Sequence, residues 1–313
     1  MSQIIESKPV ENLAAKQAAR FSVLGFLMAL PPVLVLLTFV GFPIILAFAF
    51  SLGHTGGLNQ VLSLIGQDIF TKEAWWGTFE AYKYVFSDSR FPGGLRVTLG
   101  VTFISTFVVI FLALGMGIYQ RIIGGRLASI LISLSLVPLF VPVVIAAFAI
   151  RTFYDGNGFI KALFTYVGVD FPTLTMTSTA IAIGTIWTSL PFAILMVSSG
   201  LQGIPDALIE TAQDAGASFF RIVRTILIPL AFVPIVIATT FTAIGIMGSF
   251  TIPYFLGANQ PNMLGVEIAM YFQAYNRPQQ SIVMAFVIFA AASLIAVLYV
   301  WANVRSAKQS GRI

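Results

Sequence analysis

Polar and charged residues concentrate in one short stretch of this chain, from residue 204 to residue 229, between long apolar runs. Pro205 and Asp206 suit the first turn of a helix, because neither opposes the dipole at its N-terminus. Gly216 interrupts the helix. The apolar residues Leu208, Ala212, Ala215 and Phe219 recur at helical spacing, and the polar residues Asp206, Glu210 and Gln213 fall on another face. Residues of these types at this spacing favour docking: they offer a small apolar face and a carboxylate to a soluble partner.

The chain contains few of the residue types that catalytic or metal sites require. The chain has one histidine, His54, and no cysteine, so no Ser/His/Asp triad, Cys/His pair or metal-ligand cluster can be assembled. No GxxxxGK[ST] phosphate loop is present, and we expect the chain itself to bind neither ATP nor another cofactor. The net charge of +5 could suggest nucleic acid, but in so apolar a chain a bias in membrane topology is the simpler interpretation.

The composition identifies the elements that must hold the docking segment. Of 313 residues, 58% are hydrophobic and only 9% are charged, whereas soluble domains carry about a quarter charged residues. We therefore predict an all-α, polytopic membrane protein with a cytoplasmic segment 1–20, a transmembrane domain 21–304 and a cytoplasmic tail 305–313. Six apolar runs are long enough to cross a bilayer, and they cover residues 21–52, 97–119, 128–150, 176–199, 226–248 and 281–304.

Basic residues set the predicted orientation, and those in short loops count most. Arg121 and Arg126 lie in the short turn between the second and third runs. If both termini are cytoplasmic, ten of the 17 Lys and Arg residues lie inside and seven outside. The docking loop 204–226 then faces the cytoplasm. The polar stretch 53–96, with Trp75 and Trp76, lies outside, either at the membrane interface or packed as an extramembrane subdomain.

The six runs hold no ionisable residue near their centres. Ion-coupled carriers commonly place Asp, Glu, His or Arg at mid-membrane, so the energy for transport should come from elsewhere. Hydroxyl groups could line a solute path, although in membranes they more often bond carbonyls of their own helix. Glu267 could meet a cationic solute, although an ordinary surface carboxylate is commoner. The candidate pathway residues are Thr188, Ser189, Thr239, Thr240, Ser249 and Tyr254.

The docking segment resembles a known signature. Glu210-Thr211-Ala212, Gly216 and Ile226-Leu227-Ile228-Pro229 keep the order and spacing of the EAA loop, which reads E-A-A, three residues, G, nine residues, I-x-L-P. Thr211 replaces the second alanine, and Ile228 replaces the leucine. This loop is the signature of permease subunits in binding-protein-dependent type I ABC importers, and Phe42-Pro43-Ile44 also resembles their first span.

The resemblance implies a mechanism and a set of partners. Two permease subunits, usually a homologous heterodimer, would form the pathway in a bacterial inner membrane. Each would lend its loop to one of two ATPase subunits, which bind ATP and Mg, while an external binding protein delivers the solute. The coupling residues implied by the resemblance are Leu208, Glu210, Ala212, Ala215, Gly216 and Phe219.

A second resemblance concerns the solute. The stretch 248–257, followed by Asn262-Met263-Leu264-Gly265, resembles the spermidine/putrescine-type branch, which implies a polyamine-like or other small organic solute. An acidic residue common in that phrase is missing here. The alternatives are a sugar permease of the same superfamily, an ion-coupled secondary carrier and a membrane scaffold without transport activity.

Overall fold

The computed structural model describes residues 24–71, 77–257 and 262–309. Within these ranges the regular structure is helical throughout and contains no strand, which confirms the all-α prediction. The predicted cytoplasmic segment 1–20, the pair Trp75-Trp76 and the last residues of the predicted tail, 310–313, lie outside the described residues.

Thirteen helices are used below, in chain order. Shorter helical turns also occur at Gly57–Asn59, Gln60–Ile65 and Val137–Phe140. The helices are α1 (Leu24–Ser51), α2 (Glu80–Ser87), α3 (Arg90–Ile122), α4 (Gly125–Ser135), α5 (Val143–Tyr154), α6 (Phe159–Tyr166), α7 (Ser178–Gln202), α8 (Asp206–Asp214), α9 (Phe219–Leu230), α10 (Phe232–Met247), α11 (Thr251–Leu256), α12 (Leu264–Gln273) and α13 (Pro278–Gln309).

Four described helices, α1, α3, α7 and α13, are each long and apolar enough to cross a membrane. Two further spans exist if each of two bent pairs crosses once, which gives up to six. One pair bends by 71° between α9 and α10. The other bends by 109° between 125–140 and 143–166, so the apolar run 128–150 is not one straight helix. Pro138 and Pro142 explain that bend, because each lacks an N–H and disfavours helix in the residue before it.

The proline at position 43 does not end its helix. In α1 a π-helical turn over Leu37–Gly41 immediately precedes Phe42-Pro43, and the helix then resumes. A π-turn also precedes a proline in α9, where Val223–Leu227 comes before Ile228-Pro229. There the helix ends at Leu230, and the chain bends by 71° into α10. A π-turn widens the backbone locally, which accommodates the proline ring that would otherwise strike the preceding turn.

The centre of the bundle is the contact between α3 and α7. A side chain at Gly117 would come within 2.9 Å of Leu201 Cδ1, so glycine is what allows this approach. Nearer the other end, the Thr185 hydroxyl donates to Ser105 Oγ at 3.0 Å. The largest buried apolar cluster joins these two helices to the docking segment through Ile204, Ile209 and Ile222.

The stretch 53–96 packs as a subdomain where the structure describes it. Ala81 and Val85 of α2 are fully buried against Tyr271 and the start of α13. Gln279 is fully buried, and its side-chain amide donates to the carbonyls of Phe50 and Phe70 at 3.0 and 2.9 Å. The described part of this stretch therefore packs against the bundle, and its position relative to the membrane stays a prediction.

Candidate functional site

The docking segment is a helical hairpin between α7 and α10. Helix α8 ends in a Schellman motif, in which the N–H of Ala217 bonds the Ala212 carbonyl and the N–H of Gly216 bonds the Gln213 carbonyl. Gly216 has φ +75°, the left-handed conformation that favours glycine. The predicted turn is therefore present at the predicted residue, and it sends the chain back through Ser218 into α9.

The residues of α8 differ in their exposure to solvent. Ile209 is 6% exposed, and Ala212 is half-buried against the same apolar cluster. Leu208, Glu210 and Ala215 are exposed. Ala212 therefore belongs to the face that holds α8 on the bundle, since positions three apart on a helix share a face. The prediction that Leu208, Ala212 and Ala215 contact the ATPase stays a prediction.

Two phenylalanines extend the exposed surface beyond α8. Phe219 is 47% exposed and Phe220 is 82% exposed, with their rings at right angles and 5.9 Å apart. We call Leu208, Ala215, Phe219 and Phe220 the docking patch; exposed apolar side chains rimmed by the charges of Glu210 and Arg221 are typical of a protein-binding surface.

Arg121 fixes the start of this hairpin. From the end of α3 its guanidinium donates to the carbonyls of Leu201 at 3.0 Å and Ile204 at 2.6 Å. It also pairs with Asp206 at 2.5 Å. The two carbonyls belong to the C-terminal end of α7 and the linker that follows, where a cation satisfies unpaired acceptors. One side chain thus joins α3, α7 and α8. The sequence analysis used Arg121 only for orientation, because contacts 80 residues apart leave no local pattern.

A polar cavity lies at the opposite end of α7. It has a volume of about 520 Å³, and Arg151, Glu267, Asn262, Tyr254 and Tyr275 contribute polar groups to its lining. Glu267 is 3% exposed, so it is no surface carboxylate, contrary to the commoner expectation. Burial raises the pKa of Glu267, an effect that the nearby charge of Arg90 partly offsets.

An ionic and aromatic network supports this cavity from behind. The guanidinium of Arg90 lies 5.5 Å from the centre of the Tyr271 ring and 5.2 Å from that of Tyr275. Arg90 also pairs with Asp88 at 3.5 Å, and the Tyr271 hydroxyl donates to the other carboxylate oxygen of Asp88. Burial and this hydrogen bond to Asp88 raise the pKa of Tyr271, so it remains a neutral donor. The network fixes α12, which carries Glu267, on the first turn of α3.

The structure does not bring the six candidate pathway residues together. Tyr254 lines the polar cavity, whereas Thr239 lines a separate, almost wholly apolar groove between α3 and α10. The hydroxyls of Thr188 and Thr239 bond carbonyls of their own helices, at Gly184 and Ile235. Ser189 and Ser249 are half-buried, and Thr240 is buried. Of the six residues, Tyr254 lines the polar cavity, and the role of the set in a solute path stays a prediction.

Comparison with known proteins places these features in a family. The model of the family described as "binding-protein-dependent transport system inner membrane component" matches residues 109–309 of this chain. The trehalose/maltose transport system permease protein MalF of Thermococcus litoralis is 28% identical over 282 residues, which are 85% of this chain and 88% of that protein. The spermidine/putrescine transport system permease protein PotB of Escherichia coli is 24% identical over 177 residues, 56% of this chain and 64% of that protein.

A solved structure shares the fold. The structure of a bacterial alginate ABC transporter, in complex with an alginate pentasaccharide-bound periplasmic protein, contains a chain with a TM-score of 0.67 and 18% identity, covering 93% of this chain and 96% of that one. The relatives include both sugar and polyamine permeases, so they do not single out the spermidine/putrescine-type branch. The matched family model covers the central bundle, the docking segment and the end of α13, and this chain therefore belongs to the binding-protein-dependent transport system inner membrane components, the permease subunits of ABC importers.

Proposed function

We propose that this permease subunit carries a carbohydrate across the bacterial inner membrane, driven by ATP that separate subunits hydrolyse. The observation that carries the coupling half of the proposal is the hairpin α8–α9. It is exposed at Leu208, Glu210, Phe219 and Phe220, yet Arg121 and the Schellman turn hold it in one shape. A rigid, exposed hairpin transmits a movement of its partner to the bundle, whereas a loose loop would absorb that movement.

The partners follow from family membership and from the surfaces described above. Two ATPase subunits would bind ATP and Mg, one of them on the docking patch of this chain. A second permease subunit, a homologue in a heterodimer, would complete the pathway. A solute-binding protein would dock on the opposite side, as a periplasmic protein does in the alginate transporter. Glu210 is exposed at the centre of the hairpin, where it can pair with a cation or backbone N–H groups of the ATPase.

Carbohydrate is proposed as the solute because the trehalose/maltose permease matches over most of both chains. The polyamine permease PotB matches over a shorter region, and it supports the second candidate, a polyamine. The buried carboxylate of Glu267 would suit a cationic solute. The guanidinium of Arg151 in the same cavity opposes one, however, because like charges repel strongly where water is excluded.

Uptake by the reconstituted transporter tests the solute. The purified complex of this chain, its permease partner, the ATPase and the binding protein is placed in liposomes and offered labelled trehalose, maltose or spermidine. We expect ATP-dependent accumulation of a sugar and none of spermidine. Accumulation of spermidine alone would replace the first candidate by the second.

Co-purification tests the coupling. Glu210→Lys reverses the charge at the centre of the hairpin and should abolish capture of the ATPase while the protein remains in the membrane. Glu80→Lys makes the same change at an exposed carboxylate of α2, in the stretch predicted to lie outside, and should leave capture unchanged. Equal capture by both variants would refute the assignment of the hairpin as the ATPase site.

A further inference from the structure

The polar cavity lies far from the docking patch. Met176, two residues before α7, lines it, whereas α8 follows the other end of the same helix. Helix α7 has 25 residues and is therefore about 37 Å long at 1.5 Å per residue. The cavity thus belongs to the face of the molecule opposite the ATPase, where a solute arrives from outside in the predicted orientation.

The two charged groups of the cavity, Arg151 and Glu267, do not form an ion pair with each other. Among the described residues, Arg151 forms no ion pair and its side chain makes no hydrogen bond. The Glu267 carboxylate accepts the backbone N–H of Asn262, which uses only part of its capacity for about four hydrogen bonds. Arg151 therefore offers five N–H donors to the cavity, and the Glu267 carboxylate offers its remaining lone pairs. The charges of these two groups sum to zero.

Aromatic rings form the remaining wall. Phe148 and Phe255 lie with their ring centres 4.9 Å apart, and Tyr254 meets Phe255 edge-on at 5.2 Å. Tyr275 adds a ring next to Glu267. A cavity of about 520 Å³ falls within the range of small-molecule sites, which are mostly apolar with a few converging polar groups.

We propose that this cavity is a binding subsite for a neutral, hydroxyl-rich solute, with Arg151 and Glu267 as its hydrogen-bonding groups and Phe148, Phe255 and Tyr254 as its apolar wall. Hydroxyl groups both donate and accept, so one such solute satisfies the guanidinium and the carboxylate together. The C–H faces of a sugar ring would lie on the aromatic wall. The charge of Arg151 would repel a polyamine, and the buried charge of Glu267 would repel an anion. The inference rests on the proposed carbohydrate function and assigns the residues that would select for it.

Direct binding to the purified complex tests the subsite. The complex of this chain with its permease partner and ATPase is held in nanodiscs without the binding protein, and labelled trehalose and maltose are titrated at equilibrium. Arg151→Met and Glu267→Gln should each weaken binding of the preferred sugar about tenfold or more, the usual effect of losing a charged hydrogen-bond partner. Arg96→Met and Glu80→Gln make the same changes at exposed positions outside the cavity and should leave binding within about twofold.

The outcomes separate this inference from the proposed function. Loss of sugar binding in both cavity variants, with thermal stability retained and binding unaffected by competing spermidine or methionine, supports the subsite. Displacement of the sugar by methionine would overturn the ligand class, because a zwitterion pairs its two charges with Arg151 and Glu267. Normal sugar binding and an unchanged KM for uptake in both variants would overturn the subsite and leave carbohydrate transport standing. Failure of the wild-type transporter to take up either sugar would refute the proposed function itself.

Discussion

Replacing Arg121 with leucine removes a side chain that joins α3, α7 and α8 at the docking hairpin. The aliphatic replacement keeps most of the packing volume but none of the donors. The Leu201 and Ile204 carbonyls lose their guanidinium partner, and Asp206 loses its ion pair. We expect a destabilised bundle and an importer whose ATP hydrolysis is poorly coupled to uptake.

The magnitude follows from the three interactions. Each hydrogen bond from a charged donor contributes about 1.5–3 kcal/mol, but the carbonyls lie at a helix end, where water can replace part of the loss. Asp206 is 74% exposed, so its ion pair contributes at most about 1 kcal/mol. Arg121→Leu should therefore lower the free energy of unfolding by about 2–4 kcal/mol. Arg121→Lys keeps the charge near Asp206 but cannot bridge two carbonyls with a planar fork, and its effect should be intermediate.

Equilibrium unfolding in mixed SDS–dodecyl maltoside micelles measures the free energy, and the ratio of uptake to ATP hydrolysis in liposomes measures the coupling. Arg126→Leu is the matched control, because Arg126 lies in the same turn of chain and is exposed. A loss below about 0.5 kcal/mol for Arg121→Leu, the range of ordinary surface changes, would refute this reasoning. So would a lysine variant indistinguishable from the wild type.

Two further predictions concern single groups. Gly216→Ala meets no atom within 4 Å but must adopt φ +75°, so it should cost about 1–2 kcal/mol, whereas Gly115→Ala, in an open helical position, should cost nothing in the same unfolding assay; equal effects would refute the strain argument. Burial raises the pKa of Glu267, so its contribution to stability is complete below the ordinary carboxyl pKa of about 4.3 and is lost as pH rises through the raised value. Glu267→Gln should therefore melt at a higher temperature than the wild type at pH 7.5, and the gap should close towards pH 4. A gap that is constant with pH would contradict this assignment.

The sequence predicted those features that depend on local backbone chemistry. The start of α8 at Asp206 and its end at Gly216 follow from proline and glycine, whose conformational limits act within a few residues. The apolar runs likewise predicted where helices lie. The bend in the third span is also local, and Pro138 and Pro142 signal it; hydropathy alone does not register it, because a bent pair is as apolar as a straight span.

Contacts between distant parts of the chain could not be predicted from the sequence. Alanine fits either face of α8, so only the neighbouring helices decide that Ala212 turns inward. Glycines show the same limit, because Gly115 and Gly245 have open space around them. Close approaches occur at other glycines: an added Cβ would lie 2.9 Å from Leu201 at Gly117 and 2.5 Å from Pro234 at Gly200. A glycine signals a possible contact, and the partner helix decides whether that contact forms.

Helices α3 and α7 connect the two functional regions as one unit. At one end of α3, Arg90 holds Tyr271 and Asp88 beside the cavity, and at the other end Arg121 holds the start of the docking hairpin. Gly117 lets α3 pack closely on Leu201 of α7 between these points. A displacement of α8 must therefore carry both helices together, because neither can move alone without breaking buried contacts. The bends of 109° and 71° in the neighbouring helix pairs already interrupt the helical backbone, and we expect the bundle to deform there.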